Sequence, residues 1–213
     1  MKIRLFFLTA IVILFNSCLG LSFDIQLNRD GSGRLTMEYR ISRTFIEIGQ
    51  LDGNEAQAIV PVMRDEMERL ALSVPGARLA SFSSRETAQD IIISANIDFP
   101  NTDALTALLT SGSGENVSIT NNGQTGNINL IVTDSIQEKD ANMMKLMRSA
   151  FEGYNFTVNL NSYAPSSVSV TNKDGTVISP SSSSISQGRR SSFTMNIQEI
   201  FEQPNGVILN FNW

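Results

Sequence analysis

The chain has 213 residues, of which 41% are hydrophobic and 17% charged, with a formal net charge of −5, one cysteine and no histidine. The missing imidazole excludes Ser-His-Asp and Cys-His catalysis, ordinary zinc sites and a histidine pH switch, and a lone cysteine excludes an internal disulfide. The acidic balance argues against nucleic acid as a partner.

The N-terminus carries an export signal. Lys2 and Arg4 precede an apolar run from Leu5 to Phe15, interrupted only by Thr9, and Asn16-Ser17-Cys18 follows. Eleven helical residues span about 16 Å at 1.5 Å each, roughly half of what a membrane-crossing helix needs, so the run reads as a cleaved signal over residues 1–17. Ser17 before Cys18 resembles a relaxed bacterial lipobox of the spirochaete kind. That resemblance implies that Cys18 becomes the first mature residue and carries acyl chains such as palmitate. A plain secretory signal cut after Gly20 is the competing reading. Once Lys2 and Arg4 leave with the signal, the 16 basic residues fall to 14 against 21 acidic ones, a mature charge of −7. An acidic body gains nothing from an anionic membrane surface, which leaves the lipid on Cys18 as the expected attachment.

Leu21, Phe23, Ile25 and Leu27 alternate, and so do Leu35, Met37, Tyr39 and Ile41. Between them Asn28-Arg29-Asp30-Gly31-Ser32-Gly33 supplies a turn, so the two runs predict a hairpin. After a linker at Leu51-Asp52-Gly53-Asn54, Ile59, Val60, Met63, Met67, Leu70, Ala71 and Val74 recur at helical spacing. Arg64, Asp65, Glu66, Glu68 and Arg69 take the other face, and Pro75-Gly76 ends the helix. Residues 78–84 and 90–99 predict a second antiparallel pair, residues 101–110 a short helix, and residues 117–120 and 128–132 a third hairpin around Asn121-Asn122-Gly123. A second long helix is expected over residues 135–151, with Met143, Leu146, Met147, Ala150 and Phe151 as its stripe and Gly153 closing it.

From Tyr154 the pattern becomes strand-like. Phe156, Val158 and Leu160 alternate, as do Val168 and Val170. Asn172-Lys173-Asp174-Gly175 turns the chain, and residues 179–186 form a serine-rich loop. Phe193, Met195 and Ile197 then predict a strand, and Val207, Leu209, Phe211 and Trp213 the last one. The expected fold is α+β: a mostly antiparallel sheet with two long amphipathic helices, built as an α+β core of strand-strand-helix units over residues 18–152. A β-rich C-terminal portion over residues 153–213 belongs to the same domain, either in the same sheet or as a second layer.

This order of elements resembles the LppM-type lipoprotein domain of several bacterial phyla. The residues that carry the likeness are Asp30-Gly31-Ser32-Gly33, the blocks Phe156-Thr157-Val158-Asn159-Leu160 and Val168-Ser169-Val170-Thr171-Asn172, and Trp213. The resemblance implies a non-catalytic α+β domain at the cell envelope that binds lipid-like ligands or glycolipids. Actinobacterial members continue from the terminal tryptophan into a transmembrane helix, whereas this sequence stops at Trp213, so Cys18 is the expected anchor.

The candidate sites divide accordingly. Asp65, Glu66 and Glu68 are interleaved with Arg64 and Arg69, as on a solvated helix face rather than in an acid/base pair. Arg189-Arg190 reads as a solubilising pair, and Asp30-Gly31-Ser32-Gly33 lacks the lysine of a phosphate loop and the spacing of a calcium loop. Met63, Met67, Met143 and Met147, with Met144, place flexible thioethers where helices meet the sheet. They either fill the core or line an adaptable apolar groove for an acyl chain or a partner's apolar segment. No cofactor, metal or catalytic residue is expected. The function expected is that of a lipid-anchored lipoprotein on the periplasmic or outer-surface side of a membrane. It binds a lipid-like ligand or an envelope component, or it acts structurally through contacts with other envelope proteins.

Overall fold

The computed structural model describes residues 20–43, 63–88, 90–113, 117–133, 153–178, 184–203 and 205–213. Strands β1 (Leu21–Leu27) and β2 (Gly33–Ser42) form the first hairpin, and β3 (Arg78–Glu86) pairs with β4 (Asp90–Phe99). The third hairpin joins β5 (Val117–Asn121) to β6 (Gly126–Thr133). They are followed by β7 (Asn155–Asn161), β8 (Ser167–Thr171), β9 (Ser184–Gln187), β10 (Arg190–Asn196) and β11 (Val207–Asn212). Seven strands make one sheet in the order β3-β4-β2-β1-β7-β10-β9, and four make a smaller one in the order β5-β6-β11-β8. All pairings are antiparallel except β1 with β7. Strands from the C-terminal portion thus enter both sheets.

The period-2 pattern explains the layers, because one residue in two points each way along a strand. In the large sheet Ile97, Leu35, Ile25 and Leu160 stand side by side across β4, β2, β1 and β7, and each is at most 2% exposed. In the small sheet Ile128, Phe211 and Val168 make the equivalent row. Residues of both sheets belong to one hydrophobic cluster.

Three helices are present among the described residues. Helix α1 (Arg64–Leu72) packs beside β3 and buries Met67 and Ala71, while the Glu66 carboxylate accepts from the Met63 backbone N–H at 3.0 Å and caps its start. Helix α2 (Thr102–Ser113) is capped by Asn101, whose side-chain oxygen accepts from the Ala104 N–H at 2.9 Å, and it buries Leu105 and Leu108 beside β5. Helix α3 (Ile197–Glu202) is capped by Asn196, which accepts from the Gln198 N–H, and buries Ile200. No helix among the described residues is long and apolar enough to cross a membrane.

Several expectations need correction. Helix α3 replaces the end of a predicted strand: six residues are under two turns, too few for a helical period to show, and Ile197 continued the alternation of Phe193 and Met195. Part of the predicted serine-rich loop is strand β9, an edge strand whose four residues are all exposed. Edge pairing uses backbone groups alone, so polar side chains did not announce it. Among the described residues the first long helix runs over Arg64–Leu72; its expected beginning at Ile59 and Val60, like the second long helix over residues 135–151, lies outside the described residues and remains an expectation.

Candidate functional site

An open cleft of about 520 Å³ lies where the β5–β6 hairpin meets the end of β11. The hairpin turn is built by amides. Gly123 takes a positive φ of 82°, the Asn122 side-chain oxygen accepts from the N–H groups of Gln124 and Thr125 at 2.9 and 2.8 Å, and the Asn121 oxygen accepts from the Gly123 N–H at 2.9 Å. Asn and Gly suit such a turn because one bonds its own backbone and the other adopts left-handed φ without steric cost. At its base the backbones of Gly126 and Trp213 exchange two hydrogen bonds of 2.9 and 3.1 Å. The Trp213 indole lies so close over Gly126 that an added Cβ would fall 2.2 Å from its ring, so only glycine fits there. Trp213 is 6% exposed, and its indole N–H is buried without a hydrogen bond to any described residue.

The polar side of the small sheet continues from this cleft. Thr120, Asn127, Asn212 and Ser167 form one row across the four strands, and Ser118, Asn129, Asn210 and Ser169 the next. The amides are paired: Asn127 Nδ2 donates to Asn212 Oδ1 at 2.9 Å and to the Phe211 carbonyl at 3.1 Å, and Asn129 Nδ2 donates to Asn210 Oδ1 at 2.8 Å. No Asp, Glu, Lys or Arg occurs in β5, β6, β8 or β11, although 17% of the chain is charged. Asparagine is a poor strand former, so its regular use here is not a matter of propensity.

The cleft adjoins the β1–β2 turn: a Cβ on Gly31 would lie 3.6 Å from Asn121 Nδ2. That turn is tied by Ser32, whose N–H and hydroxyl both donate to Asp30 Oδ1 at 3.0 and 2.6 Å. These bonds hold the Asp30 carboxyl below its ordinary pKa, the hydroxyl contributing most. Asp30-Gly31-Ser32-Gly33 therefore works as a turn.

The methionines expected to share a groove are separated. Met67 is fully buried in the core, whereas Met63 is 62% exposed at the start of α1; Met143 and Met147 lie outside the described residues, as does Cys18. Asp65 and Arg69 form an exposed pair 4.0 Å apart on α1, and Arg189 and Arg190 are exposed where β9 turns into β10. Among the described residues no cluster of three or more Cys, Asp or Glu side chains could hold a metal ion. The asparagine rows escaped the sequence reading, although they were visible as the polar half of two alternations, Asn127-Ile128-Asn129-Leu130 and Leu209-Asn210-Phe211-Asn212.

No protein-family model matches this chain, and no curated protein does. Among solved structures, the chain is similar to the folded domain of LppM from Mycobacterium tuberculosis, determined by NMR. The two are 10% identical, with a TM-score of 0.42, over 92% of this chain and 88% of that one.

Proposed function

We propose that the protein is a non-catalytic envelope lipoprotein, tethered to a membrane through acyl chains on Cys18, that binds a component of the envelope through the polar cleft at the tip of its small sheet. A short apolar run ahead of Ser17-Cys18 supports the tether, and about 0.8 kcal/mol per buried CH₂ makes several acyl chains a nearly permanent anchor. The absence of histidine supports the non-catalytic reading.

The observation that carries the proposal is the placement of the two ends. Gly20, two residues after Cys18, hydrogen-bonds to Asn155 and Arg40 at the start of β1, whereas the cleft adjoins the turn at the far end of that strand. Seven strand residues span about 23 Å. That separation supports a ligand beyond the tethering membrane rather than among its lipids. The test is metabolic labelling with a palmitate analogue, followed by fractionation. The native chain is expected to be labelled and recovered with membranes, and Cys18→Ala to be unlabelled. Native protein recovered unlabelled from the medium, beginning at Leu21, overturns the tether.

A further inference from the structure

We infer that the cleft between the β5–β6 turn and Trp213 binds an uncharged glycan chain free of lipid. The inference rests on the preceding reading in taking this cleft as the binding surface, and adds the class of ligand.

The argument is one of unused hydrogen-bonding capacity. Asn121 spends its side-chain oxygen on Gly123 and on the Tyr163 hydroxyl, at 2.9 and 3.2 Å, while its Nδ2 donates to no described residue. Asn212 accepts through Oδ1 from Asn127, and its own Nδ2 is likewise uncommitted. Asn127 donates twice and leaves its Oδ1 open, and the exposed Thr120 hydroxyl has no partner among the described residues. All four line the cleft. Two amide donors, an amide acceptor and a hydroxyl held by a rigid sheet form a mixed donor–acceptor set. Sugar hydroxyls, which donate and accept at once, satisfy such a set, whereas a carboxylate or phosphate uses only its donors.

Charge points the same way. A phosphate or carboxylate is usually held by Arg or Lys and a cation by carboxylates; the side chains of the four strands around this cleft offer neither, and in the adjoining β1–β2 turn, which carries Arg29 and Asp30, one Asp30 oxygen is taken up by Ser32. An acyl chain needs continuous apolar walls, whereas six of the eight residues that line this cleft are Asn or Thr and Trp213 supplies a single aromatic face. An open site suits a polymer that passes through it better than a small molecule that must be enclosed.

Trp213 is the only tryptophan of the chain and lies in the cleft, so its emission reports occupancy directly. The full chain in detergent is titrated with chitotetraose, a neutral oligosaccharide bearing amides and hydroxyls, and is tested for retention on purified peptidoglycan sacculi. Vesicles of phosphatidylglycerol with digalactosyl diacylglycerol provide the lipid arm. The expected result is a saturable change in Trp213 emission with chitotetraose that is insensitive to salt, together with retention on sacculi. Asn212→Asp, which keeps the acceptor and replaces the free donor with a charge, is expected to weaken binding about tenfold or more. Thr120→Val, at an exposed position, is a second and milder variant should the first fail to fold; it too is expected to weaken the response. Absence of a saturable response to chitotetraose overturns the inference, as does binding confined to the vesicles, binding that falls steeply with salt, or binding unchanged in both variants. None of these readouts depends on Cys18, so failure here and failure of the tether are separate results.

Discussion

Asp98 receives two arginines at the edge of the large sheet. Arg34 Nε lies 2.7 Å from one carboxylate oxygen and Arg78 Nη2 2.8 Å from the other. The Arg34 hydrogen bond is the main cause that holds the Asp98 carboxyl below its ordinary pKa of 3.8, with partial burial pulling the other way and Arg78 assisting. A carboxyl whose pKa is lower folded than unfolded stabilises the fold above its ordinary value and loses that contribution as pH falls through the lowered one. Asp98→Asn is accordingly expected to be less stable than the native chain at neutral pH, with the gap closing below about pH 4 and narrowing in about 1 M salt. Denaturant melts across this range check it; parallel stability curves for the two proteins would exclude the ion pair as the source. Both arginines belong to the exposed face of the sheet, so the pair was not legible in sequence: residues 34, 78 and 98 meet only because β2, β4 and β3 are neighbours.

Helix α1 shows what a periodic pattern can and cannot convey. Its apolar spacing identified Met67 and Ala71 as one stripe, and both are buried, at 0% and 1% exposure. Met63 has the same spacing, yet it sits at the start of the helix, beyond the reach of the sheet. Met67→Ala is therefore expected to cost about 2–5 kcal/mol by leaving a cavity, and Met63→Ala to stay within about 0.5 kcal/mol. Equal losses in thermal or urea melts would show that the two side chains share an environment, as in a common groove. The same helix lies near Tyr39: burial, followed by the Glu66 carboxylate, pushes the Tyr39 phenol far above its ordinary pKa. Short elements were the least legible. Helix α3 has too few residues for a helical period, and β9 is an exposed edge strand of Ser, Ile, Ser and Gln.

At the scale of the molecule, two sheets share one apolar interior, with Leu35, Ile97 and Phe193 from the large sheet and Leu209 and Phe211 from the small one all fully buried. A shared core makes unfolding cooperative in a domain of this kind. Far-UV circular dichroism, which reads both sheets, and Trp213 emission, which reads the small one, are expected to give coincident transitions. Leu209→Ala should move both together by about 2–5 kcal/mol. A tryptophan transition that runs ahead of the dichroism would mean that the small sheet opens by itself.

Read alone, the sequence determined the hairpins and the faces of their strands, the short helix that follows Pro100, and the histidine- and disulfide-dependent chemistry that its composition leaves out. These are local properties, set by residues within a turn or a strand of one another. Only the tertiary structure decided that β1 lies parallel to β7, that β6 and β11 align their asparagines, and that Trp213 closes over Gly126. Alternation tells which side of a strand is polar and leaves open which strand lies beside it. That choice is made by packing between segments far apart in the chain, and the cleft at the tip of the small sheet is a product of that packing.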